Sequence, residues 1–225
     1  MSNYSLEGLI DLSAAEVSIV KKNPLSKKEQ WNDKLYDPIK QRLKKELIIK
    51  QFDRCAYCRR IVEPNAYYEP LEHIVPKSLY PQWMFEPKNL IVTCNTCNNL
   101  KGNDDTLVAS YKSSIKFPLL SNAFLIFNPH FDKWHEHLRY EDGIFLVAVP
   151  NSKGKDTIRI CKLYRFHVIV NKAKELKMKQ KEPMRKIVSR LSILEKKSKE
   201  SKEIIQELYD AINFYIDRVD DNDNF

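Results

Sequence analysis

The 225-residue chain lacks any long apolar run. Its longest, Ala123 to Phe127 and Ile144 to Val149, are far shorter than the roughly 20 residues that cross a bilayer. A secretory leader is not visible either, because Glu7, Asp11 and Glu16 fall where a leader would be apolar. These two absences predict a cytoplasmic protein. Internal repeats are absent too, which excludes solenoid and propeller architectures. Mostly disordered chains are poor in apolar residues, but here 43% of residues are hydrophobic and 30% charged, so the chain should fold.

What is present begins with charge. A formal net charge of +8 and a pI near 9.1 favour polyanionic partners, above all nucleic acid. Of five cysteines, four fall in Cys-x-x-Cys pairs, Cys55/Cys58 and Cys94/Cys97. Each pair lets two thiolates face one ion, and two pairs complete the tetrahedron that Zn²⁺ prefers, so a closed structural zinc site is expected. Disulfides are disfavoured without a secretory signal, and thioredoxin-like motifs come singly within a βαβ pattern. Cys161 stands alone and reads as a small buried apolar residue.

Three segments surround and include this frame. Residues 1–50 read as helical, with a capping box at Ser26 to Glu29 and a helix opening at an Asp37 cap with Pro38 next. Ile39, Leu43 and Leu47 give that helix a core-facing stripe. Residues 51–105 lose helical periodicity and gain Pro64, Pro70, Pro76, Pro81 and Pro87, as expected of loops and short strands stapled by metal. Residues 106–225 begin with expected strands in 121–134 and 143–150, the second preceded by an Asp142-Gly143 turn. A helix capped by Asp156 or Thr157 follows, then a helical hairpin through residues 184–216 and a frayed acidic tail. The basic run 171–186 reads first as a solvated helix face, and His130, His135 and His137 lack a partner motif for metal. The expected class is α+β.

Between the cysteine pairs lies "LEHIVPKS", a carboxylate beside an imidazole. Next comes "PKNLIVTCNTCNNLKG", which adds Asn89 and, just past the last cysteine, Asn98 and Lys101. This ordered set resembles the HNH endonuclease family, whose ββα-metal, treble-clef-like core is stapled in one branch by two Cys-x-x-Cys pairs. The resemblance covers residues 55–105. It implies a phosphodiester hydrolase, acting on DNA in preference to RNA, with His73 as general base and Glu72 and Asn98 as ligands of a catalytic Mg²⁺ or Mn²⁺. Asn89 would orient the His73 loop through backbone hydrogen bonds, Lys101 would hold a phosphate, and Arg59 and Arg60 would reach the nucleic acid backbone. A regular strand points adjacent residues to opposite faces, so Glu72 and His73 are expected at a strand end or distorted turn, not in regular pairing.

Beyond the core, "LIFNPHFDKWHEHLRYEDG" and "GKDTIRICKLYRFHVIVNKAKE" resemble HNH proteins of bacterial anti-phage defence, including the nuclease subunit of Septu-type systems. That resemblance implies an ABC-type ATPase partner, with the terminal amphipathic helices as docking surfaces. The rival expectation is a catalytically inert zinc module that binds nucleic acid or a partner protein.

Overall fold

The computed structural model describes residues 10–62, 70–141 and 145–165, together with Leu6, Val168 and Ile169. The chain divides into two units, Met1–Tyr164 and Arg165–Phe225. Of the second unit only Arg165, Val168 and Ile169 are described, so the expected helical hairpin, the basic run and the acidic tail lie outside the described residues.

Helix α1 (Ala14–Lys22) opens on a reciprocal cap: Glu16 N–H donates to Ser13 Oγ, and Ser13 N–H to the Glu16 carboxylate. The box expected at Ser26 does not form. The Gln30 side chain instead accepts from both Ser26 and Lys27 N–H, closing a short 3₁₀ turn, Lys28–Asn32. Helix α2 (Asp37–Lys50) carries Pro38 in its first turn and buries Ile39, Leu43, Leu47 and Ile48, the expected stripe lengthened by one. Arg42 on α2 grips both oxygens of Glu16 at 2.7 and 2.6 Å and holds that carboxyl below its usual range, tying α1 to α2.

Strands β1 (Leu71–His73) and β2 (Leu90–Val92) pair antiparallel, and helix α3 (Asn95–Lys101) follows directly. A four-residue helix α4 (Trp134–His137) leads into the antiparallel pair β3 (Leu138–Glu141) and β4 (Phe145–Ala148), after which comes α5 (Gly154–Ile160). Helix α5 starts at Gly154, before the expected cap at Asp156 or Thr157, and a Cβ at residue 154 would strike the His137 carbonyl oxygen, an approach that glycine permits. The described residues thus form a mixed α and β structure with two small sheets, and none of their helices is long and apolar enough to cross a membrane.

The strand expected within residues 121–134 is absent. Asp132 accepts from Asn128 N–H and Ser121 Oγ, and Asn128 Oδ1 from His130 N–H, so local side-chain bonds replace a ladder with a turn. That turn grips the core, since His130 Nε2 donates to Leu90 O of β2 at 2.9 Å. Burial lowers the His130 pKa from 6.5 to about 4. The unfolded chain therefore takes up this proton first as pH falls, and stability is lost between about pH 6.5 and 4. His130→Gln, which keeps a donor without titrating, is expected to lose about 1.4 kcal/mol less per pH unit in that window. Urea denaturation at several pH values measures the difference, and equal losses would remove His130 from the acid response.

Candidate functional site

Residues 54–61 make a tight hairpin, bridged at Arg54 and Ile61, with Arg59 in the left-handed region at φ 53°. This turn presents Cys55 and Cys58. The second pair belongs to the start of α3, where Cys94 is the N-cap and its Sγ accepts from Cys97 N–H at 3.4 Å. All four sulfurs are buried and lie within 4.8 Å of one another, placed to hold a metal ion. The Cys58–Cys94 separation of 3.9 Å fits the roughly 3.8 Å edge of a tetrahedron with 2.3 Å zinc–sulfur bonds.

The electrostatics also call for a cation. Burial pushes the Cys55 thiol well above its usual range, and contact with Cys55 does the same to Cys58, so these groups resist ionising together without compensating positive charge. Cys94 is driven the other way by hydrogen bonds from Cys55, Cys58 and Cys97, with Arg60 adding a smaller contribution. From outside the turn, Trp134 Nε1 donates to Tyr57 O and Tyr140 OH to Cys58 O, so the later chain holds the knuckle carbonyls in place.

Of the two arginines expected at a nucleic acid, Arg59 is buried and donates to Gln51 O, while Arg60 is half-buried and helps to lower the Cys94 thiol pKa. Gln51, which no sequence pattern singled out, is fully buried at the end of α2. Its amide accepts from Val92 N–H at 2.8 Å and donates to Val92 O at 2.7 Å, so one side chain serves as a strand partner for β2.

Glu72 and His73 lie on β1 in regular register, opposite Ile91 and Leu90, which corrects the expected distortion, although His73 is the last paired residue. Their side chains diverge as strand geometry requires. The Glu72 carboxylate turns toward α3 and accepts from Lys101 Nζ at 2.9 Å; the same ammonium donates to His73 O at 2.9 Å. With its side chain 0% exposed, Lys101 is an internal counterion to Glu72, and the expected phosphate contact is corrected accordingly. Asn98 lies three residues before Lys101 on α3, a spacing that puts both on one helix face, and the side-chain amide of this half-buried residue makes no hydrogen bond to a described residue.

On the opposite face His73 is 2% exposed. Its Nε2 sits 3.0 Å from Met84 O. A carbonyl only accepts, so the proton is on Nε2 and the lone pair on Nδ1. Burial, with a push from Lys77, lowers the imidazole pKa to about 3. The chain beyond His73 is clamped. Asn89 Oδ1 accepts from Val75 N–H at 2.7 Å, Asn89 Nδ2 donates to Val75 O and Trp83 O, and Thr106 Oγ1 donates to Ile74 O.

Trp31, from the 3₁₀ turn before α2, packs edge-on against His73 at 4.5 Å and against Phe85 at 4.9 Å. Sequence reading passed it over, though a lone tryptophan in the polar run "KKEQWND" is itself a signal.

No family model matches the chain. Over 128 residues, 57% of its length, the chain is 26% identical to the Septu protein PtuB of Bacillus thuringiensis. The aligned stretch is 43% of that protein, so the chain spans less than half the length of the relative it matches, and the likeness is a distant homology.

Proposed function

We propose that the chain is a metal-dependent HNH endonuclease, the effector of a bacterial anti-phage defence complex. The observation that carries this reading is the arrangement at the end of β1. An imidazole is held through one nitrogen with the lone pair on the other, beside a carboxylate that faces the helix bearing Asn98. The four-cysteine cluster includes Cys94 and Cys97 at the start of that same helix. Distant homology to a Septu protein supports the defence role, and an ABC-type ATPase partner belongs to the same proposal.

The donors suit the roles. Glu72 and Asn98 offer hard oxygens, which fit Mg²⁺ or Mn²⁺, and one Glu72 oxygen already takes a cation, the Lys101 ammonium. A bound divalent ion would supply charge stabilisation for the developing phosphorane and the leaving oxygen. His73 Nδ1 removes the proton from the attacking water, while Met84 O keeps the ring in one tautomer and orientation. The phosphodiester itself assists, because negative charge beside the ring favours the imidazolium. Asn89 holds the loop so that the base does not drift. The cysteines hold structural Zn²⁺, which the 3.9 Å sulfur separation fits.

The burial of His73 beneath Trp31 favours a second reading, an inert zinc module that binds nucleic acid or a partner. Incubation with plasmid DNA and with total RNA, in Mg²⁺ and in EDTA, separates the two. Metal-dependent cutting is expected, of DNA before RNA. No cutting of either substrate, with the partner ATPase also supplied, would favour the inert module.

A further inference from the structure

We propose that Lys77, not Lys101, receives a phosphodiester phosphate beside His73, a subsite walled by Trp31 and resting on the nuclease reading above. Lys77 opens the turn after Pro76, whose carbonyl accepts from Leu79 and Tyr80 N–H, and the preceding Val75 is pinned by Asn89. The backbone that carries Lys77 is thus the same clamped loop that carries His73. Its ammonium lies 6.0 Å from the Trp31 ring centroid, a loose cation–π contact.

Beside Trp31 and His73, Lys77 is half-buried and has no carboxylate within ion-pair distance among the described residues. Three other enclosed lysines are matched: Lys40 with Asp37 at 2.7 Å, Lys101 with Glu72 at 2.9 Å, and Lys153 with Asp132 at 2.7 Å. Glu72 acts favourably on Lys77, but its Oε1 is committed to Lys101, while Lys101 and Lys28 repel Lys77. Burial and these like charges lower the Lys77 pKa. A desolvated cation facing other cations is costly in the free protein, and an external anion resolves that cost. Lys77 is also the strongest charge acting on the His73 ring, which puts such an anion next to the proposed base. An ammonium on a flexible stem suits a phosphate oxygen, which needs a point charge and not a planar fork.

Binding of a short fluorescein-labelled DNA strand, followed by anisotropy without added Mg²⁺ or Mn²⁺ and without chelator across a salt series, tests this without cleavage. Lys77→Gln is expected to weaken binding about tenfold at low salt and to make the slope of log K against log salt shallower by about 1. Lys77→Arg should keep the slope, as should Lys155→Gln at an exposed site on α5. Because the unpaired charge burdens the free protein, Lys77→Gln should melt no lower than wild type. An affinity and slope for Lys77→Gln matching those of Lys155→Gln would overturn the subsite, as would a wild type that does not bind the strand. Cleavage in Mg²⁺ keeps the two readings apart: cutting with a Lys77-independent slope leaves the nuclease without this subsite. A Lys77-dependent slope without cutting leaves a phosphate site without the nuclease.

Discussion

Cys94→Ser is expected to abolish metal binding and, with it, cooperative unfolding of the first unit. Cys94 does two jobs: it contributes a sulfur to the cluster and it caps α3 through Cys97 N–H. Serine is among the better N-cap residues, so the substitution spares the cap and removes the ligand. Structural zinc in small domains contributes about 10–16 kcal/mol of apparent binding energy, comparable with the whole stability of a typical domain at about 5–15 kcal/mol. A site that loses one of four ligands keeps too little of that to hold the 54–61 hairpin against α3. Metal analysis should therefore fall from about one zinc per chain to none, and the melting transition should broaden or vanish; a strong chelator should do the same to wild type. A variant that melts as wild type does would show that the four thiols stand without metal and would remove the staple from the account.

His73→Ala has the opposite signature. The imidazole donates one hydrogen bond, to Met84 O, and packs against Trp31. Its removal should cost about 1–3 kcal/mol, which a folded domain tolerates. Zinc content should not change, since the ring contributes nothing to the cluster. Cleavage should fall about a hundred- to ten-thousand-fold, the usual worth of a positioned general base. His73→Gln, with an amide N–H available for Met84 O, serves as the folding control and should be equally inactive. Cutting at the wild-type rate by either variant would sink the assignment of His73 as base, and loss of zinc with loss of cutting would recast His73 as a structural residue.

Part of this arrangement was legible in the sequence because it is local. A Cys-x-x-Cys spacing constrains two sulfurs to one side of a turn whatever surrounds them, and the Ile39, Leu43 and Leu47 stripe follows from helical periodicity alone. The strand at 145–148 was likewise visible as a β-prone run. The residues misjudged were those whose environment depends on distant chain. Lys101 reads as a surface cation from its neighbours "NNLKG", yet it is enclosed because Glu72, 29 positions earlier, lies across from it. Arg59 turns inward because Gln51 O awaits it at the end of α2. The regular pairing of Glu72 and His73 with β2 depends on Gln51 and Asn89 anchoring Val92 and Val75, which no spacing announces.

The amino-acid sequence by itself determined that four sulfurs meet, that α2 buries one face, and that a carboxylate and an imidazole adjoin on the segment between the cysteine pairs. Only the tertiary structure decided where those two side chains point, which cation the Glu72 carboxylate keeps, and that Trp31 packs against His73 while Lys77 has no ion pair among the described residues. The physical reason is range: metal spacing and helical period act over a few bonds, whereas desolvation and charge pairing depend on everything brought within several ångströms by the fold.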